Sequence, residues 1–256
     1  ETRVSLLPEA VAALTKKNII VFVEEGAGQK AWASDEDYQK AGASIKKRDE
    51  ILRSSDIILV INLLSQSEIS ALRSKIVIGV YQPLYNQPLM SDWARQGVTC
   101  FSLDMLPRTT RAQSMDVLSS QANIAGYKAA LLAANLYSRY FPMFMTAAGS
   151  IPPAKVLILG AGVAGLQAIA TAKRLGALVE AYDIRAEVKE QILSLGAKFV
   201  ELDVGEEGSG QGGYAKELSD EAKKRQQQLL TDRLKKCDVI ISTANIPGRK
   251  APVLIT

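Results

Sequence analysis

The chain has 256 residues, room for one large domain or two of ordinary size, and its 47% hydrophobic and 23% charged residues are those of a globular protein with real cores. Its net charge of +4 is spread along the sequence, with no lysine–arginine run and no interleaved aromatic stripe, so nucleic acid is not an expected partner. It contains no histidine, the usual proton handler of enzymes near neutral pH, and no metal site is expected.

The opening "ETRVSLLPEA" is charged from its first residue and does not read as a secretory signal. From there, short β-branched runs alternate with amphipathic segments. "NIIVFVEEG", "SDIILVIN", "KIVIGVYQP" and "GVTCFSLD" predict four buried strands. "PEAVAALTKK", "DEDYQKAG", "KKRDEILRS", "SEISALRS" and "PLMSDWARQ" predict the helices between them. Alternation of this kind makes parallel sheets covered by helices on both faces. Cys100 and Cys237 lie far apart, each at the end of an apolar strand-like run, and read as buried free thiols of a reducing compartment.

A long helix is predicted over roughly 114–141. The apolar window "AALLAANLYSRYFPMFMTAAG" is long enough to suggest a membrane span. Asn135, Ser138, Arg139 and Pro142 interrupt it, and a buried connecting helix is the better reading. A second series follows: strands in "AKVLILG", "ALVEAYD", "AKFVELD" and "CDVIIST", with helices around 163–175, 186–195 and 214–236. The fold class is therefore α/β: two Rossmann-like parallel-sheet domains, 1–125 and 126–256, joined by a long helix. A complete doubly wound sheet has about six strands. The second series stops after four, so the chain reads as a fragment truncated on its C-terminal side.

"KVLILGAGVAGLQAIATAKRLGALVEAYD" carries the strongest chemical signal. Gly160, Gly162 and Gly165 spell G-x-G-x-x-G between an apolar strand and an Ala-rich helix. Such glycines serve the tight turn, backbone approach to a pyrophosphate, and close helix–strand packing. Asp183, at the end of the next strand, can accept both hydroxyls of an adenosine ribose. A 2′-phosphate against it would meet like-charge repulsion of about a few kcal/mol. NAD(H) is therefore expected over NADP(H). The expected coenzyme-binding set is Gly160, Ala161, Gly162, Val163, Ala164, Gly165, Asp183, Ile184 and Arg185, with Thr243 and Ala244 after the fourth strand. Arg185 reads as a surface residue at a helix start or an adenine contact.

Two further segments are unusual. "VGEEGSGQGGYAKE" has five glycines between Gly205 and Gly213, followed by Tyr214. It reads either as a disordered insertion or as a lid over bound nucleotide with Tyr214 as its contact. "PRTTRAQSMD" reads as a loop with two arginines, a glutamine and an aspartate. Ser114 or Asp116 could cap the helix that follows, leaving Arg108 and Arg111 in solvent, or the loop could be functional.

These stretches, with "ETRVSLLPEAV", "VEEGAGQKAWASDEDYQKAGA", "PRTTRAQSMDVLSSQANIAGYKAA", "LGAKFVELD", "GQGGYAKE" and "IPGRKAPVLIT", resemble the alanine dehydrogenase/transhydrogenase family. The resemblance covers nearly the whole chain. It is specifically to the NAD(H)-binding domain I, at the start of the α subunit of proton-translocating NAD(P) transhydrogenases. The family's chain opens with one more strand before "ETRV" and continues well past "LIT". The resemblance implies that Arg108, Gln113, Asp116 and Ser119 sit at the nicotinamide end of the site. Gln113 would reach toward a partner domain's nucleotide, while Arg108 and Asp116 hold the dihydronicotinamide. Asp183 matches the ribose-binding acid and Tyr214 the mobile-loop tyrosine. The implied partners are an NADP(H)-binding domain, a transmembrane domain that couples hydride transfer to proton movement, and a second copy in a homodimer. The implied location is peripheral, on the cytoplasmic face of a bacterial inner membrane or the matrix side of the mitochondrial one.

Two rival functions follow from the same residues. An amino-acid dehydrogenase moves a proton with its hydride and needs an acid–base group and a cation for the substrate carboxylate. Alanine dehydrogenases place a lysine and a histidine in the first domain, where this chain reads "VINLLSQSE" and "GVYQPLYNQ". Asp116 remains as a conceivable base. The other rival is a non-catalytic NAD(H)-sensing module. Transfer between two nicotinamide rings exchanges no proton, and asks of the protein mainly alignment and shielding from water.

Overall fold

The computed structural model describes residues 1–107, 109–202, 205, 219–245 and 250–255. It divides into two compact units, Glu1–Asp116 and Val117–Thr256.

In the first unit the chain runs α1 (Pro8–Thr15), β1 (Phe22–Glu24), α2 (Asp35–Lys40), β2 (Ser44–Lys46), α3 (Arg48–Ser54), β3 (Ile57–Val60), α4 (Gln66–Ile69), β4 (Ile76–Gly79), α5 (Gln87–Arg95) and β5 (Thr99–Ser102). Local chemistry sets the helix starts. Pro8 stands at the first position of α1, and Ser34 and Ser65 open α2 and α4 through reciprocal capping boxes with Asp37 and Glu68. Every strand pair is parallel. The expected single sheet is instead two, β1–β2 and β3–β4–β5. β2 is a strand that the polar "SIKK" segment concealed. A groove of about 1140 Å³ runs between the two sheets, lined among others by Ile20, Phe22, Ile57 and Leu59. Each sheet keeps its own core, around Val11, Val23 and Tyr38 and around Leu72, Val77 and Trp93.

The second unit continues with α6 (Val117–Leu136), β6 (Phe144–Thr146), β7 (Gly149–Ile151), β8 (Lys155–Leu159), α7 (Val163–Arg174), β9 (Leu178–Tyr182), α8 (Lys189–Ser194), β10 (Lys198–Phe199), α9 (Asp220–Leu234) and β11 (Val239–Ser242). Its main sheet is parallel in the order β10–β9–β8–β11. In β8, Val156 and Ile158 face a core shared with α6 and α7, while Leu157 and Leu159 face one shared with Leu230 of α9. A central strand buried on both faces is what its unbroken apolar run requires.

The long helix departs from expectation in length and burial. It ends at Leu136, and only Gly126 and Ala130 on it are buried. The chain must leave the helix because Phe141 is buried in the α6–α7 core and Pro142 lies against the Gly176 turn. The rest of the apolar window forms the antiparallel hairpin β6–β7, with Met143, Phe144 and Met145 exposed. No described helix is long and apolar enough to cross a membrane. Cys100 and Cys237 are free thiols, half-buried rather than buried.

α6 crosses α7 at very short range. A Cβ on Gly126 would lie 2.0 Å from the Ala164 carbonyl oxygen. Alanine in a helix interior gains roughly 0.5–1 kcal/mol over glycine, but overpacking against backbone costs about 1–3 kcal/mol. Gly126→Ala is therefore expected to lower stability, read as a lower urea midpoint of unfolding; a higher midpoint would contradict the close crossing.

Candidate nucleotide-binding site

The turn from β8 into α7 is the most constrained backbone in the second unit. Gly160 has φ +95°, a conformation that L side chains rarely adopt, and its N–H donates to the Tyr182 carbonyl at 2.8 Å. A Cβ on Gly165 would come within 1.9 Å of the Gly160 carbonyl oxygen, so helix and strand can close only on glycine. The Thr243 hydroxyl, just past β11, donates to that same oxygen at 2.9 Å. Ala244 follows, its backbone nitrogen 2.9 Å from the Cβ position of Gly160. Thr243 and Ala244 thus brace the turn from the neighbouring strand.

Gly162 differs from the other two. It is exposed, has an ordinary extended conformation, and a Cβ there would meet no atom within 4 Å. The space in front of it is open, and it caps a helix whose first N–H groups have no intrahelical acceptor. A pyrophosphate fits such a place, where free donors and the positive end of the helix dipole coincide. Val163 is half-buried on the first turn, and Ala164 contributes the carbonyl that faces Gly126.

Asp183 is buried at the end of β9 and accepts four hydrogen bonds. Oδ2 takes the Ala161 N–H at 2.7 Å and Arg185 Nη2 at 2.9 Å, and Oδ1 takes the Arg185 backbone N–H and Nε, each at 2.9 Å. The Arg185 side chain is only 12% exposed. It is therefore not a surface residue. Hydrogen bonding to Asp183 raises the guanidinium pKa further above its ordinary value. The signal was present in the sequence: residues two apart on extended backbone share a face, and Arg185 is extended. Ile184, between them, turns the other way into the Leu157–Leu230 core. Beneath Asp183, the Tyr182 hydroxyl accepts from Gln226 Nε2 of α9 at 2.9 Å, a buried contact that composition could not reveal.

The structure thus gathers the Gly160–Gly165 turn, Asp183, Arg185, Thr243 and Ala244. In the first unit, the expected loop is a 3₁₀ helix over Thr110–Met115, pinned by buried Ala112. Gln113 is exposed on it and Asp116 half-buried at its end, while Ser119 is half-buried on the first turn of α6. Arg108, Tyr214 and the glycine-rich segment beyond Gly205 lie outside the described residues.

Two family models match the chain: "Alanine dehydrogenase/PNT, N-terminal domain" over residues 1–125 and "Alanine dehydrogenase/PNT, C-terminal domain" over residues 129–256. The first portion of the NAD(P) transhydrogenase subunit alpha of Rickettsia prowazekii (strain Madrid E), a polypeptide of its own, is 44% identical over all of this chain and 68% of its own length. The crystal structure of transhydrogenase from Sinorhizobium meliloti superposes with a TM-score of 0.84 at 43% identity, covering 98% of this chain and 68% of that one. An alanine dehydrogenase of Mycolicibacterium smegmatis is 26% identical over all of this chain and 64% of its own.

The open space at Gly162 separates binding from folding. Gly162→Val is expected to change the unfolding free energy by no more than about 1 kcal/mol, the scale of an N-cap exchange. NADH affinity should fall about tenfold or more, because the side chain blocks backbone approach to the pyrophosphate. Fluorescence titration beside an unfolding curve measures both; unchanged affinity would remove the pyrophosphate from this turn.

Proposed function

Because the chain belongs to the alanine dehydrogenase/PNT family, on its NAD(P) transhydrogenase α-subunit side, we propose that it binds NADH and presents it to an NADP⁺-binding domain for direct hydride transfer. The observation that carries this reading is the β8–α7 turn with buried Asp183 beside it, in a chain 44% identical to a transhydrogenase subunit but 26% identical to an alanine dehydrogenase. The bound coenzyme supplies a hydride from C4 of its dihydronicotinamide, which C4 of the acceptor nicotinamide takes up with no proton exchanged.

The chain's own residues have three tasks. The N–H groups at the start of α7 hold the pyrophosphate, with Gly162 leaving the approach clear. Asp183 holds the adenosine ribose, and its negative charge disfavours a 2′-phosphate. Gln113, Asp116 and Ser119, with Arg108, align the nicotinamide end and keep water away from it; exposed Gln113 faces the partner's nucleotide. None of these tasks requires a histidine, and these 256 residues contain none.

The NADP(H)-binding partner and a proton-translocating membrane domain belong to separate polypeptides or to sequence beyond this segment. The Rickettsia relative, named as one portion of a divided alpha subunit, supports that division. The coupled assembly sits peripherally on a bacterial inner membrane at its cytoplasmic face, or on the matrix side in a mitochondrion. A homodimer belongs to the same proposal, and the exposed apolar tip of the β6–β7 hairpin and the exposed Leu132 and Leu136 of α6 support it.

Gln113→Asn shortens the side chain by one methylene and keeps its amide. Mixed with NADP⁺-loaded partner domain, this variant should transfer hydride about tenfold or more slowly while its NADH dissociation constant stays within about twofold, the signature of an interaction made only during transfer. Stopped-flow transfer and NADH titration separate the two. A parallel loss of rate and affinity would assign Gln113 to coenzyme binding instead, and NADH formation from NAD⁺ and alanine without a partner would replace the whole reading with the dehydrogenase.

A further inference from the structure

The hydrogen-bonding capacity of Asp183 is full before any coenzyme arrives. A carboxylate offers about four acceptor positions. Here two are taken by the backbone N–H groups of Ala161 and Arg185, and two by the Nε and Nη2 atoms of the Arg185 guanidinium. An adenosine ribose brings two vicinal hydroxyls that need two acceptors. The backbone donors are fixed by the turn and by the extended chain after β9, whereas the guanidinium is carried on a flexible stem. Its two nitrogens form a bidentate fork, one to each carboxylate oxygen, which is the pattern that a vicinal diol makes.

Resting on the NAD(H)-binding reading above, we infer that Arg185 is a specificity-determining residue whose guanidinium stands in for the coenzyme's ribose diol and must be displaced when the coenzyme binds. Two consequences follow, and they have opposite signs. The fork competes with the diol, so the apparent NADH affinity is reduced by the fraction of molecules in which it is closed. Once displaced, the guanidinium remains tethered two residues from Asp183, where its charge offsets the repulsion between that carboxylate and a 2′-phosphate. Arg185 therefore weakens NADH binding and, in the same position, softens the rejection of NADPH. Glu187 also acts electrostatically on the guanidinium.

Substitution tests both arms on the purified chain by fluorescence titration with NADH and with NADPH. Arg185→Ala is expected to tighten NADH about three- to tenfold and to weaken NADPH by a similar factor, so that their ratio rises at least about tenfold. Arg185→Lys keeps the charge and loses the fork. It should tighten NADH as alanine does while leaving NADPH near its wild-type affinity. General damage to the site would weaken both coenzymes together and could not produce this crossing. Weaker or unchanged NADH binding in both variants would overturn the stand-in role while leaving coenzyme binding itself intact. A wild-type chain that binds neither nucleotide would overturn the proposed function, and this inference with it.

Discussion

The close passage of the chain from β8 into α7 is the constraint on which the rest of the second unit depends. A strand and a helix can be brought together that tightly only where side chains are missing at the contact, which is why Gly165 packs directly on the Gly160 carbonyl. The same closeness brings Thr243 within hydrogen-bond reach of that carbonyl and puts the Ala161 N–H onto Asp183. Packing and binding geometry are thus one arrangement. The glycine whose Cβ position touches nothing, Gly162, is the one left facing outward, and the site opens there.

Asp183 joins the two halves of the proposed coenzyme site. A buried carboxylate is expensive unless it is paired and hydrogen-bonded, and this one is satisfied by two backbone N–H groups and a guanidinium. The backbone donors keep it ionised and oriented whether or not the arginine is present. The mobile donor can be exchanged for another pair of donors without leaving the charge bare, so a site can be stable when empty and still open to a diol.

The first unit is built differently. Its two short parallel sheets each carry their own core, and the groove between them is lined by apolar edges such as Ile20 and Ile57. The Thr110–Met115 helix follows β5 and is held by a single buried alanine, leaving Gln113 exposed. A side chain meant to meet a nucleotide on another domain has to remain exposed until that domain docks. Hydride transfer between two rings asks for alignment and dryness, and an amide on a short, pinned helix suits that demand better than an acid or a base would.

The amino-acid pattern by itself determined the α/β class, the positions of the strands and helices around the fingerprint, and the acid after β9. Those features depend on local rules: the period of apolar residues, glycine where φ is positive, and a carboxylate at a strand end. Only the tertiary structure decided that the long helix stops at Leu136, since that end is set by where Phe141 and Pro142 must dock and not by helix propensity. Tertiary contacts likewise revealed β2, divided the first sheet in two, and buried the Tyr182–Gln226 pair. Arg185 lies on the boundary between the two kinds of knowledge. Its alternation with Asp183 is written in the sequence, but that its guanidinium fills the acid's remaining acceptors depends on three-dimensional reach. A linear pattern records which residues share a face; it does not record which of them find each other.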